Sequence, residues 1–382
     1  MSGTRLRILG IADAGSPHTR KWANYLAARG HEVHLVSFAP GRAVAAHLDP
    51  AVSIEDWVLP LLHIRRFDIT LRALARLRRI VRERRPHLVQ VHFLGHGAWY
   101  AALAGGAPLA LWVMGGGDIT GTAFTPANRR EQYLTPFALR RASLVTAWSR
   151  NLLRVVEPLL RPGVPRAVVV GGVDTSLFRP PEDRAVLRSR LGLEAGDFVV
   201  LSCRLLWPRQ HVLAVVQSLP CVLRAHPRAR LVVVKYHSDP AYLERVEAEI
   251  DRLSLRPYVR LVPEIPNEEM PSCLGLADCV VSVPETDGTP MTLMEAAACG
   301  AVCVVRDLPD YDPEVFVHER SVLRVPLRDP ADLGQAISRL AADPALRERL
   351  RAGGRQMVEA HANYAAEMGR LEELYRRLVG AT

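Results

Sequence analysis

The sequence predicts an α/β protein built from two doubly wound, Rossmann-like domains, and three observations carry that reading. Apolar runs of strand length alternate with helical patterns from end to end. The runs are continuously apolar, as in parallel strands covered on both faces. One segment, 171–183 (GGVDTSLFRPPED), breaks both periodicities with two glycines and Pro180-Pro181, dividing the series in two. A length of 382 residues suits two domains at roughly 100–200 residues each.

In the first series the expected strands are 6–11 (LRILGI), 33–38 (VHLVSF), 88–93 (LVQVHF), 109–114 (LALWVM) and 143–147 (SLVTA). A helix over 17–29 ends at Gly30. The second series contains 198–203 (FVVLSC), 231–235 (LVVVK), 258–262 (YVRLV), 279–283 (CVVSV) and 301–305 (AVCVV), with a helix over 240–253. A long helical stretch rich in Arg, Glu, Leu and Ala occupies roughly 344–379. Two such domains facing one another would leave a cleft where the carboxyl ends of both sheets meet, and ligands are expected there.

Composition narrows the function classes. Hydrophobic residues make up 49% and charged residues 23%, which excludes disordered and fibrous chains. No apolar run approaches the ~20 residues of a spanning helix, and the apolar stretch at the start is too short for a signal peptide. These features predict a cytoplasmic protein. Cys203, Cys221, Cys273, Cys279, Cys299 and Cys303 form no CxxC pair and sit mostly in apolar runs, so reduced, buried thiols are expected. The balance of 49 basic to 40 acidic residues gives +9. Lys21 and Lys235 are the only lysines. With no nucleic-acid-binding module in view, a small anionic substrate or an anionic lipid surface explains the sign.

The most informative segment is 284–300, PETDGTPMTLMEAAACG, which follows the buried strand CVVSV. Thr289-Pro290 reads as an N-cap and first helical residue. Backbone N–H groups at such a helix start can bind a diphosphate or sugar hydroxyls. Glu295 shares a helix face with Met291 and Thr292, so its carboxylate can look into the same pocket and accept hydrogen bonds from two vicinal hydroxyls. Taken singly, Asp287 and Glu295 read as a helix-start acid and a solvated side chain.

Asp287-Gly288-Thr289-Pro290 followed by Leu293-Met294-Glu295-Ala296 closely resembles the signature of retaining family 4 glycosyltransferases of the GT-B fold, in which two acids flank a Gly-containing helix start. The resemblance extends along nearly the whole chain. It includes the first strand, loop and helix (ILGIADAGSPHTRKWANYLAARGHEVHLVSF), RPHLVQVHF at 85–93, VGGVDTSLFRP at 170–180 and LSCRLLWPRQ at 201–210. It implies an acceptor-side domain over 1–170, a linker over 171–183, a nucleotide-sugar-binding domain over 184–355, and a C-terminal helix over 356–382 crossing back to the first domain. Glu295 matches the acid that holds the donor ribose. Asp287 takes the position, normally glutamate, near the transferred sugar. Gly288, Thr289, Pro290, Met291 and Thr292 match the backbone around sugar and diphosphate. Arg204 matches the family arginine on the phosphates, and Arg209 stands where lysine is usual. The implied activity is transfer of a sugar from a UDP- or GDP-sugar to a glycan, lipid-linked or small-molecule acceptor, with no metal cofactor.

Departures from the family pattern are expected to matter. Cys203 replaces the usual glycine, and Lys235-Tyr236-His237 stands where a glycine-rich turn is common. On the acceptor side, the stretch Gly115-Gly116-Gly117-Asp118 puts glycine where the family often has His or Trp, so no catalytic side chain is supplied there. His92, at a strand end, is the expected catalytic substitute. His18 and Ser16, in the first loop, are further acceptor-side candidates. Asp310-Tyr311-Asp312 spells a DxD, but the Pro-bracketed setting reads as a turn rather than a metal site. Residues 65–85 carry nine arginines, with Leu71, Leu74, Leu77 and Val81 along one side. They fit either a membrane-surface helix on anionic lipid or a helix packed on the sheet with a basic outer face. Two rival functions remain: a GT-B phosphorylase or epimerase, and a non-catalytic nucleotide-sugar-binding scaffold.

Overall fold

All ten apolar runs read as strands form strands, and every pairing among them is parallel. The computed structural model describes residues 5–38, 48–61, 66–115 and 131–380. The chain falls into two units, Met1–Gly171 with Ala365–Thr382, and Gly172–Tyr364.

The first unit contains β1 (Arg7–Ala12), α1 (Pro17–Ala28), β2 (Glu32–Ser37), β3 (Ser53–Val58), α2 (Phe67–Arg84), β4 (Leu88–His92), α3 (His96–Ala104), β5 (Leu109–Val113), α4 (Glu131–Leu139), β6 (Leu144–Ala147), α5 (Arg150–Val156) and β7 (Arg166–Val168). Its strands lie in the order β3-β2-β1-β4-β5-β6-β7. The order reverses between β1 and β4, so the loops after those two strands diverge at the carboxyl edge. β1 is closely covered by α1: a Cβ on Gly10 would lie 2.9 Å from the Trp22 ring. Ser16 caps α1 by accepting from the His18 N–H, and Pro17 follows it.

The second unit contains α6 (Arg184–Arg190), β8 (Phe198–Ser202), α7 (Val212–Ala225), β9 (Ala229–Val234), α8 (Pro240–Arg252), β10 (Val259–Val262), α9 (Met270–Gly275), β11 (Cys279–Ser282), α10 (Met291–Ala298), β12 (Val302–Arg306), β13 (Leu323–Val325), α11 (Pro330–Ala342) and α12 (Pro344–His361). Its sheet order is β10-β9-β8-β11-β12-β13, again all parallel, with the reversal between β8 and β11. Val200, Leu231, Val281 and Val304 from four strands join Val216, Ile250 and Ile337 from the helices in one buried cluster.

Three strands escaped the sequence reading: β3, β7 and β13. Two of them are three residues long, all sit at or near sheet edges, and β3 is mostly exposed or half-buried. An edge strand needs no continuous apolar run, so no such signal exists to read. Within the expected linker 171–183, Gly171 groups with the first unit and residues 172–183 with the second. Val173 bridges Asn363, Phe178 is buried, and Pro181 packs against Gly275. Gly172 has φ +72, and a Cβ there would sit 2.5 Å from the Tyr364 Cα. Glycine is needed for this close passage, not for flexibility.

The long C-terminal helical stretch is two helices, because the chain breaks at Ala362-Asn363 to make that bridge. The last, α13 (Tyr364–Gly380), packs almost wholly within the first unit. Its buried face is unusually polar. The Glu367 carboxylate accepts from the Val170 N–H at 2.8 Å, and Glu372 meets His31 at 3.1 Å. Trp22 Nε1–H donates to the Tyr375 hydroxyl, which donates to Gln90 Oε1 at 2.6 Å. All three groups are buried, so each depends on the others for a partner. Tyr375→Phe keeps the ring and leaves Trp22 Nε1–H and Gln90 Oε1 unpaired, while Gln90 Nε2 still donates to the Val91 carbonyl. It should lower unfolding stability by about 1–3 kcal/mol for each orphaned group, read as a shifted denaturation midpoint with an unchanged slope.

Candidate functional site

The strand reversal in the second unit brings two loops side by side. The loop after β8 runs from Cys203 to Gln210, and the loop after β11 runs from Val283 to Pro290. They are laced together twice. The Glu285 N–H donates to the Arg209 carbonyl at 2.9 Å, and the Arg204 guanidinium meets the Asp287 carboxylate at 3.0 Å. Asp287 also accepts from the Gly288 N–H through its other oxygen. Arg204 Nε donates to Gln210 Oε1 at 3.0 Å, and Gln210 is buried. The guanidinium is therefore held from two sides while its side chain stays 18% exposed, beside an Asp287 that is 13% exposed. Such a paired but reachable cation can exchange a carboxylate for an incoming anion.

The segment from Gly288 to Thr292 lies beside this pair. The helix starts one residue later than expected: Pro290 is the N-cap, and its carbonyl accepts from Leu293 and Met294 N–H. Proline lacks an N–H and stands here in an extended conformation, so it serves outside the helix as well as at its first position. Thr289, Pro290 and Met291 are buried, and Gly288 and Thr292 are half-buried. Glu295 is on the second turn of α10 and 8% exposed. Its charge is felt by the Cys203 thiol at the end of β8 and the Tyr236 phenol at the end of β9, and burial, foremost, raises both pKa values. The sequence-named residues Arg204, Asp287, Gly288, Thr289, Pro290, Met291, Thr292 and Glu295 thus belong to one region at the carboxyl edge of one sheet. Arg209 joins it through its backbone, with its side chain exposed. Sequence reasoning missed Gln210, which orients Arg204. It lies within the quoted LSCRLLWPRQ, but nothing in spacing distinguishes it from any other loop glutamine.

The first unit departs further from expectation. His92 is 1% exposed, with its ring set edge-on to Trp22 at 5.0 Å and Trp112 at 5.1 Å. Nδ1 faces the Thr19 hydroxyl at 3.3 Å. Burial, reinforced by His18, lowers its pKa to about 3, so the ring is neutral. His92 is a core histidine in this structure, and the direct sugar contact expected of it is not available to a ring enclosed in this way. His18 is half-buried against Trp148, ring centroids 4.8 Å apart, and burial followed by Lys21 also lowers its pKa to about 3. Ser16 spends its hydroxyl on the helix cap. Gly115 ends the β5 edge with open space where a Cβ would project. Gly116, Gly117 and Asp118 lie outside the described residues.

The six cysteines carry free thiols, five of them buried and Cys221 half-buried. In the DxD segment, the Asp312 carboxylate accepts from the Glu314 N–H, the geometry of a turn. No group of three or more His, Cys, Asp or Glu among the described residues is placed to hold a metal ion. No described helix is long and apolar enough to cross a membrane.

Residues 183–357 match the family described as Glycosyl transferases group 1, and residues 16–177 match Glycosyltransferase Family 4. A D-inositol 3-phosphate glycosyltransferase from Streptomyces bingchenggensis is 28% identical over 199 residues, covering 50% of this chain and 44% of that protein. A GDP-mannose-dependent monoacylated alpha-(1-6)-phosphatidylinositol monomannoside mannosyltransferase from Corynebacterium glutamicum is 28% identical over 199 residues, covering 50% of each. The chain spans about half the length of the curated relatives it matches. Among solved structures, Anabaena HepE in complex with UDP and glucose superposes with a TM-score of 0.80 at 18% identity, covering 97% of this chain and 99% of that one. Sucrose-phosphate synthase from Thermosynechococcus elongatus gives 0.81 at 20% identity, covering 99% and 100%.

The buried His92 sets a pH dependence. Its folded pKa is depressed, so the unfolded chain binds the proton first as pH falls below about 6.5. Unfolding free energy should then fall on the acid side, approaching about 1.4 kcal/mol per pH unit between pH 6.5 and the folded value. Denaturation series on wild type and His92→Gln test this, and the variant should show the shallower dependence.

Proposed function

The chain belongs to the group 1, family 4 glycosyltransferases and has their GT-B fold, and from that premise we propose that it transfers a sugar, with retention, from a UDP- or GDP-sugar to an acceptor hydroxyl. The observation that carries the reading is the Arg204–Asp287 pair beside the Gly288–Thr292 helix start, with Glu295 on the helix behind it.

In this reading Glu295 holds the donor ribose, while Arg204 and Arg209 take the diphosphate. The backbone from Gly288 to Thr292 cradles diphosphate and sugar at a helix start. Asp287 acts on the sugar. The bond from the anomeric carbon to the diphosphate oxygen breaks, and the acceptor oxygen bonds to that carbon on the same face. The acceptor's proton passes to the departing diphosphate, so no enzyme nucleophile is required. The site must then stabilise an oxocarbenium-like transition state and the leaving charge, a task for fixed cations and dipoles. The nucleotide sugar is substrate throughout, and this scheme calls on no metal cofactor.

A glycan or lipid-linked acceptor fits the reading, supported by a relative named for a phosphatidylinositol monomannoside acceptor. Helix α2 bears on this point. Its buried stripe is Thr70, Ala73, Leu74, Leu77, Ile80 and Val81, while Leu71, expected on the inner side, is 51% exposed. Arg76 lies over the Trp57 ring and reaches Glu55 along with Arg84, so these two serve the fold. Leu61 and Phe67 are more exposed still, and Arg66, which precedes Phe67, pairs with Asp68, as does Arg72. Exposed apolar side chains on an arginine-rich helix suit the surface of an anionic bilayer, and on that reading the protein is cytoplasmic with peripheral attachment there.

Calorimetry with UDP and GDP tests the donor reading. Glu295→Ala and Arg204→Ala should each weaken the nucleotide that binds wild type about ten- to a hundredfold, the worth of a charge-assisted hydrogen bond, while remaining folded. Unchanged affinity would remove both residues from the site, and turnover abolished by a chelator would overturn the metal-independent scheme. For the membrane, flotation with anionic vesicles should be strong at low salt and fade as ionic strength rises. Equal recovery with neutral vesicles, or none with either, would leave α2 a packing helix only.

A further inference from the structure

Lys235 is one of two lysines among 49 basic residues, the rest being arginine. It follows β9 directly, at the carboxyl edge of the second unit's sheet. It is half-buried, and among the described residues no carboxylate or hydrogen-bond acceptor engages its ammonium. Three acids at that edge have other partners. Asp287 holds Arg204 and the Gly288 N–H, Glu264 faces His237 Nε2 at 3.9 Å, and Glu285 faces His211 at 3.7 Å. A partly buried cation with nothing to offset it is costly, so its place in the fold calls for an anion.

Backbone pairing puts Lys235 beside Arg204. β8 and β9 pair in parallel as far as Ser202 and Val233, and a further bridge joins Leu205 to Tyr236 in the same register. No residue is gained or lost between the two, so Arg204 stands opposite Lys235 on neighbouring backbones, which lie about 4.8 Å apart in a ladder. The turn that carries the lysine is fixed. Lys235 N–H donates to the Val262 carbonyl at 2.9 Å, and Tyr236 N–H closes a γ-turn around it onto the Val234 carbonyl at 2.9 Å. Leu206 N–H donates to the Tyr236 carbonyl at 3.2 Å, Asp239 N–H to the Leu206 carbonyl at 2.9 Å, and Trp207 Nε1–H to the His237 carbonyl at 2.7 Å. The loop that carries Arg204 is thus laced to the one that carries Lys235, as it is to the one that carries Asp287.

We propose that Lys235 is a third cation for the donor diphosphate, its ammonium meeting a phosphate oxygen on the side of Arg204 away from Asp287. The inference rests on the reading of Arg204 as a diphosphate ligand. It is a cation that this chain adds where the family commonly has glycine. Arg204 is shared with Asp287, and Arg209 is exposed, so neither guanidinium gives the diphosphate an undivided partner within the site. Lys235 does. An ammonium is a compact point charge that suits a phosphate oxygen, and it fits beside a guanidinium where a second planar fork would compete for the same oxygens.

The test is calorimetry with UDP and GDP on wild type, Lys235→Met and Arg204→Ala, with thermal unfolding of each. Lys235→Met keeps the stem and removes the charge, so its melting temperature without nucleotide should equal or exceed that of wild type. Its affinity for the diphosphate that binds wild type should fall about tenfold at low ionic strength. The loss should shrink as salt rises, as a charge contact at a half-buried site requires. A second readout needs no substitution. In limited acetylation followed by peptide mass spectrometry, the same nucleotide should slow labelling of Lys235, with Lys21 as the internal standard. Equal diphosphate affinity in wild type and Lys235→Met overturns the proposal. So does a loss that is the same at low and high salt, or Lys235 labelling that the nucleotide leaves unchanged. In each case weakened binding by Arg204→Ala leaves the donor reading standing. Failure of wild type to bind either diphosphate defeats both.

Discussion

The candidate site depends on one constraint, the parallel pairing of β8 with β9 on one side and β11 on the other. Parallel strands need crossovers, so successive strands emerge at one edge and their helices cover the faces. Where the strand order reverses, the crossovers leave in opposite directions and the two loops between them are not roofed by a helix. Arg204 and Asp287 sit on those two loops, 83 residues apart in the chain and 3.0 Å apart in space. No local propensity brings them together. The sheet does.

The opposite edge of the same sheet is organised for rigidity. Asp278, just before β11, accepts from the Val199 N–H and from Arg188 at 2.9 and 2.8 Å, with Arg351 at 3.4 Å. Arg188 also donates to the Leu276, Ala195 and Asp197 carbonyls. One buried guanidinium from α6 thus ties together the entries to β8 and β11, and α12 joins through Arg351. Arginine can do this because its planar fork serves several acceptors at once, whereas an ammonium on a flexible stem cannot fix them in one geometry. Much of the arginine content read from composition as a sign of anionic partners is consumed internally in this way. With the amino-terminal edge fixed, the loops at the carboxyl edge can exchange partners without disturbing the strands that carry them.

What was legible follows from which signals are local. Continuous apolar runs revealed the central strands because burial on both faces demands them, residue by residue. The edge strands β3 and β13 carry no such demand and went unread. The motif around Asp287 and Glu295 was legible as a resemblance, but the ion pair between Asp287 and Arg204 was not, because it joins separate loops. His92 shows the same limit in reverse. A histidine at the end of a central strand looks like a site residue until α1 and β5 place Trp22 and Trp112 against it. Gln210 had no signal at all, since its significance lies wholly in the third dimension.

The ion pair at the centre of the site also explains how an arginine can be poised for a ligand without being a liability before the ligand arrives. A half-buried guanidinium facing nothing would be costly, and one pinned to a fully buried carboxylate would be hard to recruit. Arg204 avoids both extremes. Gln210 fixes the Nε end of its fork, so orientation survives when the other end changes partner. Asp287 occupies that other end at a depth that an incoming anion can reach. On the proposed function, a diphosphate carries more charge than one carboxylate and would win the guanidinium in direct competition, leaving the displaced aspartate beside the sugar. Binding and activation of the acid would then be two consequences of the same exchange, a physical reason for the proposed site to keep the two residues in contact rather than on separate walls.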